Sequence, residues 1–233
     1  MCGRFALYSS TDRIARELGV TRQVGHYNAR YNQAPGQPIL NVSHRLGCDD
    51  YTFETYWWGF TPSWAPADHN GPKPINARKE SLSRGMYRAS VNHSRSVILC
   101  DGFFEPDKSA PSLHPQYYFH RRDEGLIALA GLYAEWEKAP DDKRRFSCAI
   151  ITVPANETVS SIHHDRMPAI LADRSRIDAW LDPGSHKLDD LQPLLAPAAD
   201  ELLARHRVDH RLLSCRDPQF GWYDAPQCIE PVE

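Results

Sequence analysis

The spacing of hydrophobic and polar positions changes along this chain, from helical to β and back to helical. In residues 10–19, Ile14 and Leu18 fall on one helical face, Ser10 or Thr11 can cap the start, and Gly19 supplies the stop, so a short helix is predicted there. From that point to about Leu171 the pattern is mostly β. The runs 52–58, 96–100, 116–120, 126–132 and 146–153 are short, rich in β-branched, aromatic and aliphatic residues, and separated by turn formers. Helical spacing returns late: Asp173 can cap a helix over 174–181, residues 188–195 keep a helical period, and Pro197 suits the first turn of a helix over 198–206. Residues 228–233 read as an extended tail. Many strands at short intervals, with no regular βαβ alternation, predict an α+β fold. Its sheet should be mainly antiparallel and curved into a barrel-like form with helices at the margins, in one domain spanning 1–233.

Composition narrows the class. A chain of 233 residues can bury most of its apolar surface without staples, and 41% hydrophobic with 24% charged residues is ordinary for a globular protein. No apolar run is long enough to span a bilayer, and Arg4 followed by Ser9, Ser10, Thr11 and Asp12 is not a secretory signal, so a cytoplasmic location is expected. Six cysteines are widely scattered, and Cys100 and Cys148 lie within apolar runs as small core residues. No paired Cys/His spacing accompanies the 11 histidines, so no metal site and no cofactor are expected. A net charge of −3 argues against coating nucleic acid through a global field; a nucleic-acid contact must come from a local basic cluster. The 18 prolines cluster in loops, including 107–115, that can hold groups in fixed positions.

Candidate chemistry begins at the second residue. If Met1 is removed, Cys2 carries an α-amine and a thiol on adjacent carbons, and such a pair can condense with an aldehyde to a five-membered thiazolidine. Asn76 and Arg78 share a side if their segment is extended, an amide for a reacting group beside a guanidinium for a phosphate, although a solvated strand end gives the same pattern. In Asp101-Gly102-Phe103-Phe104-Glu105 a carboxylate sits beside two aromatics at a strand end, a setting that raises a pKa through desolvation; pairing with an arginine is the alternative. His163-His164-Asp165-Arg166 packs two imidazoles, a carboxylate and a guanidinium into one short link, and histidine is the natural proton shuttle near neutrality. One of Trp57 and Trp58 should face the core, while Trp64 could offer a flat face to an unstacked base.

Taken in order, Met1-Cys2-Gly3-Arg4-Phe5, Arg30-Tyr31-Asn32-Gln33-Ala34-Pro35-Gly36, Trp58-Gly59-Phe60-Thr61-Pro62-Ser63-Trp64, Ile75-Asn76-Ala77-Arg78, Asp101-Gly102-Phe103-Phe104-Glu105 and His164-Asp165-Arg166-Met167-Pro168 closely resemble the SOS response-associated peptidase (SRAP) domain family. The likeness runs from the N-terminus to about Pro183 and fades in the C-terminal helices and tail, 184–233, where the family's Val-Asn pattern is not evident. The resemblance implies a sensor of abasic sites in single-stranded DNA that frees Cys2 by its own peptidase activity and forms a thiazolidine crosslink with the ring-opened sugar. It implies Cys2 as nucleophile, Asn76 as its orienting amide, Glu105 and His164 as proton-transfer groups, Arg4, Arg78 and Arg166 on phosphates, and Trp64 stacked on a base. A monomer is expected, associated with the nucleoid when bound to damaged DNA. Pro106 stands where family members commonly have Trp. A cysteine peptidase acting in trans, or a non-covalent reader of modified or single-stranded DNA, are the other readings of the same residues.

Overall fold

The computed structural model describes residues 2–20, 27–44, 50–109, 115–141, 145–185, 187–214 and 223–232. Met1, Cys48, Cys215 and residues 110–114 of the proline loop lie outside the described residues. The strands are β1 (Phe5–Leu7), β2 (Arg30–Gln33), β3 (Pro38–Ser43), β4 (Thr52–Trp58), β5 (Asn76–Arg78), β6 (Arg95–Cys100), β7 (Gly102–Pro106), β8 (Gln116–Arg121), β9 (Ile127–Glu135), β10 (Phe146–Pro154), β11 (Arg166–Pro168) and β12 (Leu203–Val208). Between and after them come helices α1 (Thr11–Glu17), α2 (Arg88–His93), α3 (Glu157–Ser160), α4 (Arg174–Leu181), α5 (Leu188–Leu191) and α6 (His210–Leu213).

Strands β10, β4, β3, β6 and β9 pair in that order and β9 returns to β10, so they close into a barrel. The far half of β10 leaves the ring and carries β5 on one side, parallel, and β11 on the other, antiparallel. Because β9 and β10 are covered on both faces, nearly every residue in them is buried, which accounts for continuous apolar runs in place of alternation. A second, wholly antiparallel sheet has the order β12-β8-β7-β1-β2. Its strands do alternate. Phe5, Leu7, Phe103 and Phe119 join the main core, while Ala6, Phe104 and Tyr118 face a smaller cluster closed by Val208, Leu213 and Cys228. The chain crosses from barrel to sheet at buried Asp101, whose carboxylate accepts the backbone N–H groups of Tyr8 (2.7 Å) and Ser9 (2.9 Å) and the Ser9 hydroxyl.

The antiparallel, barrel-like α+β expectation holds, as do the strand over 52–58 and the helices begun by Ser10 and Asp173, whose side chains accept from the backbone N–H of Arg13 and Arg176. Three local expectations do not. Residues 198–206 form no α-helix: a 3₁₀ turn at Asp200–Leu202 leads into β12, whose six residues pair with β8. Hydrogen bonding to the open edge of β8 outweighs the modest helix preference of this stretch. Residues 188–195 split into α5 and a 3₁₀ turn at Gln192–Leu194. The tail is not simply extended, because Pro226–Ile229 makes a 3₁₀ turn that buries Cys228 against the second sheet. Among the described residues no helix is long and apolar enough to cross a membrane.

Candidate active site

The N-terminal segment, the start of β5, the end of β7 and the link before β11 meet at one end of the barrel. The loop into β5 is pinned on several sides: the Trp58 indole donates to Ile75 O (3.0 Å), Ile150 N donates to the same carbonyl (3.0 Å), and Phe60 N donates to Pro74 O (2.9 Å). Trp58 is the inward-facing member of its pair, fully buried. Held this way, Asn76 pairs with Ile150 in the sheet and its side-chain Nδ2 donates to Cys2 O at 2.9 Å. The other amide atom, Asn76 Oδ1, is buried without a hydrogen bond among the described residues. Cys2 itself is fully buried, its Sγ placed 3.8 Å from Arg4 O. Burial pushes the thiol pKa well up, and the nearby Glu105 carboxylate pushes it further, which also places Glu105 within electrostatic reach of the sulfur.

Glu105 reaches this position by strand periodicity. It lies two residues after Phe103, on the same face of β7, and is therefore driven into the core. Gly102 makes the approach possible, since a Cβ there would lie 2.4 Å from both Phe119 O and the Tyr118 ring. Burial raises the Glu105 pKa to about 7, against the pull of nearby positive charge.

His164 arrives from the opposite side. After α3, His163 adopts a left-handed φ of 62° and stays exposed near Asp107, which reverses the chain and turns the next imidazole inward. His164 Nε2 lies 2.7 Å from Pro106 O and Nδ1 lies 3.4 Å from Glu105 Oε2. A carbonyl can only accept, so the first contact assigns the ring hydrogen to Nε2 and turns the Nδ1 lone pair toward the carboxyl. Burial lowers the His164 pKa to about 4. Burial thus favours the neutral form of both groups, the carboxyl of Glu105 and the imidazole of His164. The Pro106 carbonyl fixes this tautomer.

The remaining candidates are placed differently. Arg78 is exposed at the end of β5, on the side of the strand that carries Asn76. Arg4 Nη1 donates to Asn32 Oδ1 at 2.7 Å. Trp64 is 69% exposed, yet its loop is held by Thr61 N on the Ser147 hydroxyl (2.8 Å) and by the Trp136 indole on Ala65 O (2.8 Å), so it is a large apolar face on a fixed backbone. Arg166 is buried and turned to Glu80, with Nη1 and Nη2 at 2.9 and 3.1 Å from its two oxygens and Nη2 at 2.5 Å from Thr152 O. In this state it staples the segment after β5 to β10. Asn32 and Glu80, which carry no role in the sequence reading, engage two of the three predicted phosphate arginines.

Cys2 near the N-terminus, the Asn76 carboxamide, the buried Glu105 carboxyl and the His164 imidazole thus form one linked cluster. The chain belongs to the SOS response associated peptidase (SRAP) family, whose sequence profile matches residues 1–215, well past Pro183. The abasic site processing protein YoqW of Bacillus subtilis (strain 168) is 36% identical over 238 residues, covering 99% of both chains. The abasic site processing protein YedK of Escherichia coli (strain K12) is 29% identical, covering all of this chain and 96% of its own. The fold matches a crystal structure of a Bacteroides thetaiotaomicron protein with a TM-score of 0.82 and 19% identity over the whole of both chains.

Proposed function

We propose that this protein processes abasic sites in single-stranded DNA by forming a thiazolidine through Cys2 once Met1 has been cleaved by the protein's own peptidase activity. The observation that carries this reading is the gathering of Asn76 and Glu105 at Cys2, with His164 joined to the group through Glu105, supported by the relatives named for abasic site processing. While Met1 is attached the Cys2 nitrogen is an amide and no nucleophile. Once free, the amine adds to the C1′ aldehyde of the ring-opened sugar, and the carbinolamine hydroxyl leaves as water with a proton from the Glu105 carboxyl. That step leaves an iminium and a Glu105 carboxylate; the Cys2 thiol then adds to the iminium carbon and gives its proton to that carboxylate, restoring the carboxyl, so the net change is loss of one water. Asn76 holds the Cys2 carbonyl and turns Oδ1 to the amine or a sugar hydroxyl. Closing the ring removes the iminium that would drive β-elimination of the 3′ phosphate, so the strand stays whole. Arg4 and Arg78 bind flanking phosphates and Trp64 stacks on a neighbouring base, where a complementary strand would otherwise lie.

The test is a denaturing gel of the full chain with abasic and undamaged single strands, and with abasic duplex as competitor. A heat-stable shifted band specific to the abasic strand, lost in Cys2→Ser and barely competed by duplex, is the expected result. An equal band from Cys2→Ser contradicts the chemistry, and peptide turnover in trans without any DNA adduct would replace it with ordinary cysteine peptidase action.

A further inference from the structure

Residues 223–230 lie beyond the family match, yet they reach back to the strand beside Cys2. Asp224 grips β2: its Oδ1 accepts from Tyr31 N (2.6 Å) and Asn32 N (3.1 Å), and its Oδ2 pairs with Arg30 Nε. Asn32, 2% exposed, is engaged at both ends of its amide, with Nδ2 donating to Tyr223 O (2.9 Å) and Leu212 O (3.4 Å) while Oδ1 accepts from Arg4 Nη1 (2.7 Å). The orientation is forced: flipping the amide would set its oxygen against two carbonyls and its NH₂ against a guanidinium that can only donate. Arg4 in turn joins the halves of the site, because its carbonyl accepts Phe104 N (2.9 Å), next to Glu105, and lies 3.8 Å from Cys2 Sγ. The segment also has anchors of its own. His206 Nε2 lies 2.7 Å from Ile229 O, and Cys228 and Ile229 pack on Phe104 and Tyr118, so loss of Asp224 alone leaves it docked.

We propose that Asn32, clamped by Asp224 and the Tyr223 carbonyl of the C-terminal segment, is a positioning residue that aims the Arg4 guanidinium at the DNA phosphate beside Cys2. The proposal rests on the function inferred above. An arginine already held in its binding rotamer loses less freedom when a phosphate arrives, so affinity is gained through pre-organisation rather than through a new contact. The C-terminal segment thereby becomes part of the DNA-binding apparatus without touching DNA.

The test uses the full chain with undamaged and abasic single strands, and compares wild type with Asn32→Ala, Asp224→Ala, Asp224→Asn, Arg4→Ala and the Asn32→Ala/Arg4→Ala double variant. Thermal unfolding of each confirms that the populations compared are folded. Asn32→Ala is expected to weaken binding of the undamaged strand about 10-fold and to flatten the dependence of log affinity on log salt by about 0.7, the value for one phosphate contact on a single strand. In the Arg4→Ala background it should add no more than about 2-fold, since the two residues act as one unit. Asp224→Ala should follow Asn32→Ala, and Asp224→Asn, which keeps the Oδ1 acceptor, should recover to within about 3-fold of wild type. A folded Asn32→Ala or Asp224→Ala protein with an unchanged salt slope overturns the proposal, as does an Asn32→Ala loss that adds in full to Arg4→Ala. If wild type binds but forms no adduct with the abasic strand, the chemistry inferred above fails while the salt slopes still decide the role of Asn32.

Discussion

Glu80 and Glu105 each meet a basic side chain from the same short stretch of chain, Arg166 for one and His164 for the other, yet their surroundings drive them apart. Glu80 is more than half exposed and clasped by both Nη atoms of Arg166, and that guanidinium lowers its pKa. Glu105 is sealed in the core against a neutral imidazole, and burial raises its pKa to about 7. A permanent cation in partly wet surroundings fixes a carboxylate as an anion, a structural tie. Desolvation opposite a group that is itself neutral leaves the proton mobile at the pH where the amine and thiol must exchange protons with something. The comparison separates a structural tie, made by Arg166, from the proposed proton-transfer pair that His164 completes, within one contiguous run of chain.

The sharpest break of this comparison is Glu105→Gln, which removes the mobile proton. Single-turnover crosslinking should slow by about 10²-fold or more and lose its inflection near pH 7, whereas Glu80→Gln should stay within about 3-fold of wild type, both read from rate against pH. An unchanged pH profile in Glu105→Gln would move the proton-transfer role elsewhere.

Stability should move the other way. With a folded pKa raised above its unfolded value, Glu105 favours the native state most below about pH 4.5, and that contribution is lost as pH rises through about 7. Replacing it with Gln should therefore stabilise the protein above pH 7, by as much as roughly 3 kcal/mol, in urea unfolding at a series of pH values. His164 has the opposite sign. Its lowered pKa contributes stability above about pH 6.5 that is lost as pH falls toward 4, so His164→Gln should flatten the acid limb of the same curve.

Arg166→Ala should cost about 1–3 kcal/mol in the same unfolding measurement, because it strips Thr152 O and Glu80 of a donor inside the sheet. The smallest effect belongs to Glu80→Gln, below about 1 kcal/mol, since the exposed carboxylate gains little from an ion pair screened by solvent. A larger loss from Glu80→Gln than from Arg166→Ala would invert the assignment of Arg166 as the buried anchor.

Much of the candidate site was legible in the sequence as candidates because its members stand in short motifs at strand ends. Glu105 stands beside two aromatics at a strand end, and His164 directly precedes Asp165-Arg166-Met167-Pro168, whereas the left-handed φ at His163 that turns His164 inward is visible only in the structure. The ties between motifs were not legible. Asp224 meets Asn32 across 192 residues, and Arg166 meets Glu80 across 86, through contacts that impose no local period. The fold shows the same division. Strands with apolar runs announce themselves, while three-residue strands such as β1 and β11 exist only through their partners, and β12 escaped notice because its Leu, Ala, Arg and His residues serve equally in a helix.

The most direct measurement is the intact mass of the purified protein before and after reaction with an abasic single strand, with borohydride added to half the sample. The account predicts a chain lacking Met1 and an adduct equal to protein plus DNA less one water, unaffected by borohydride because the ring has closed through sulfur. A chain that keeps Met1 yet still crosslinks, or an adduct that gains two hydrogens on reduction as an open imine would, contradicts it.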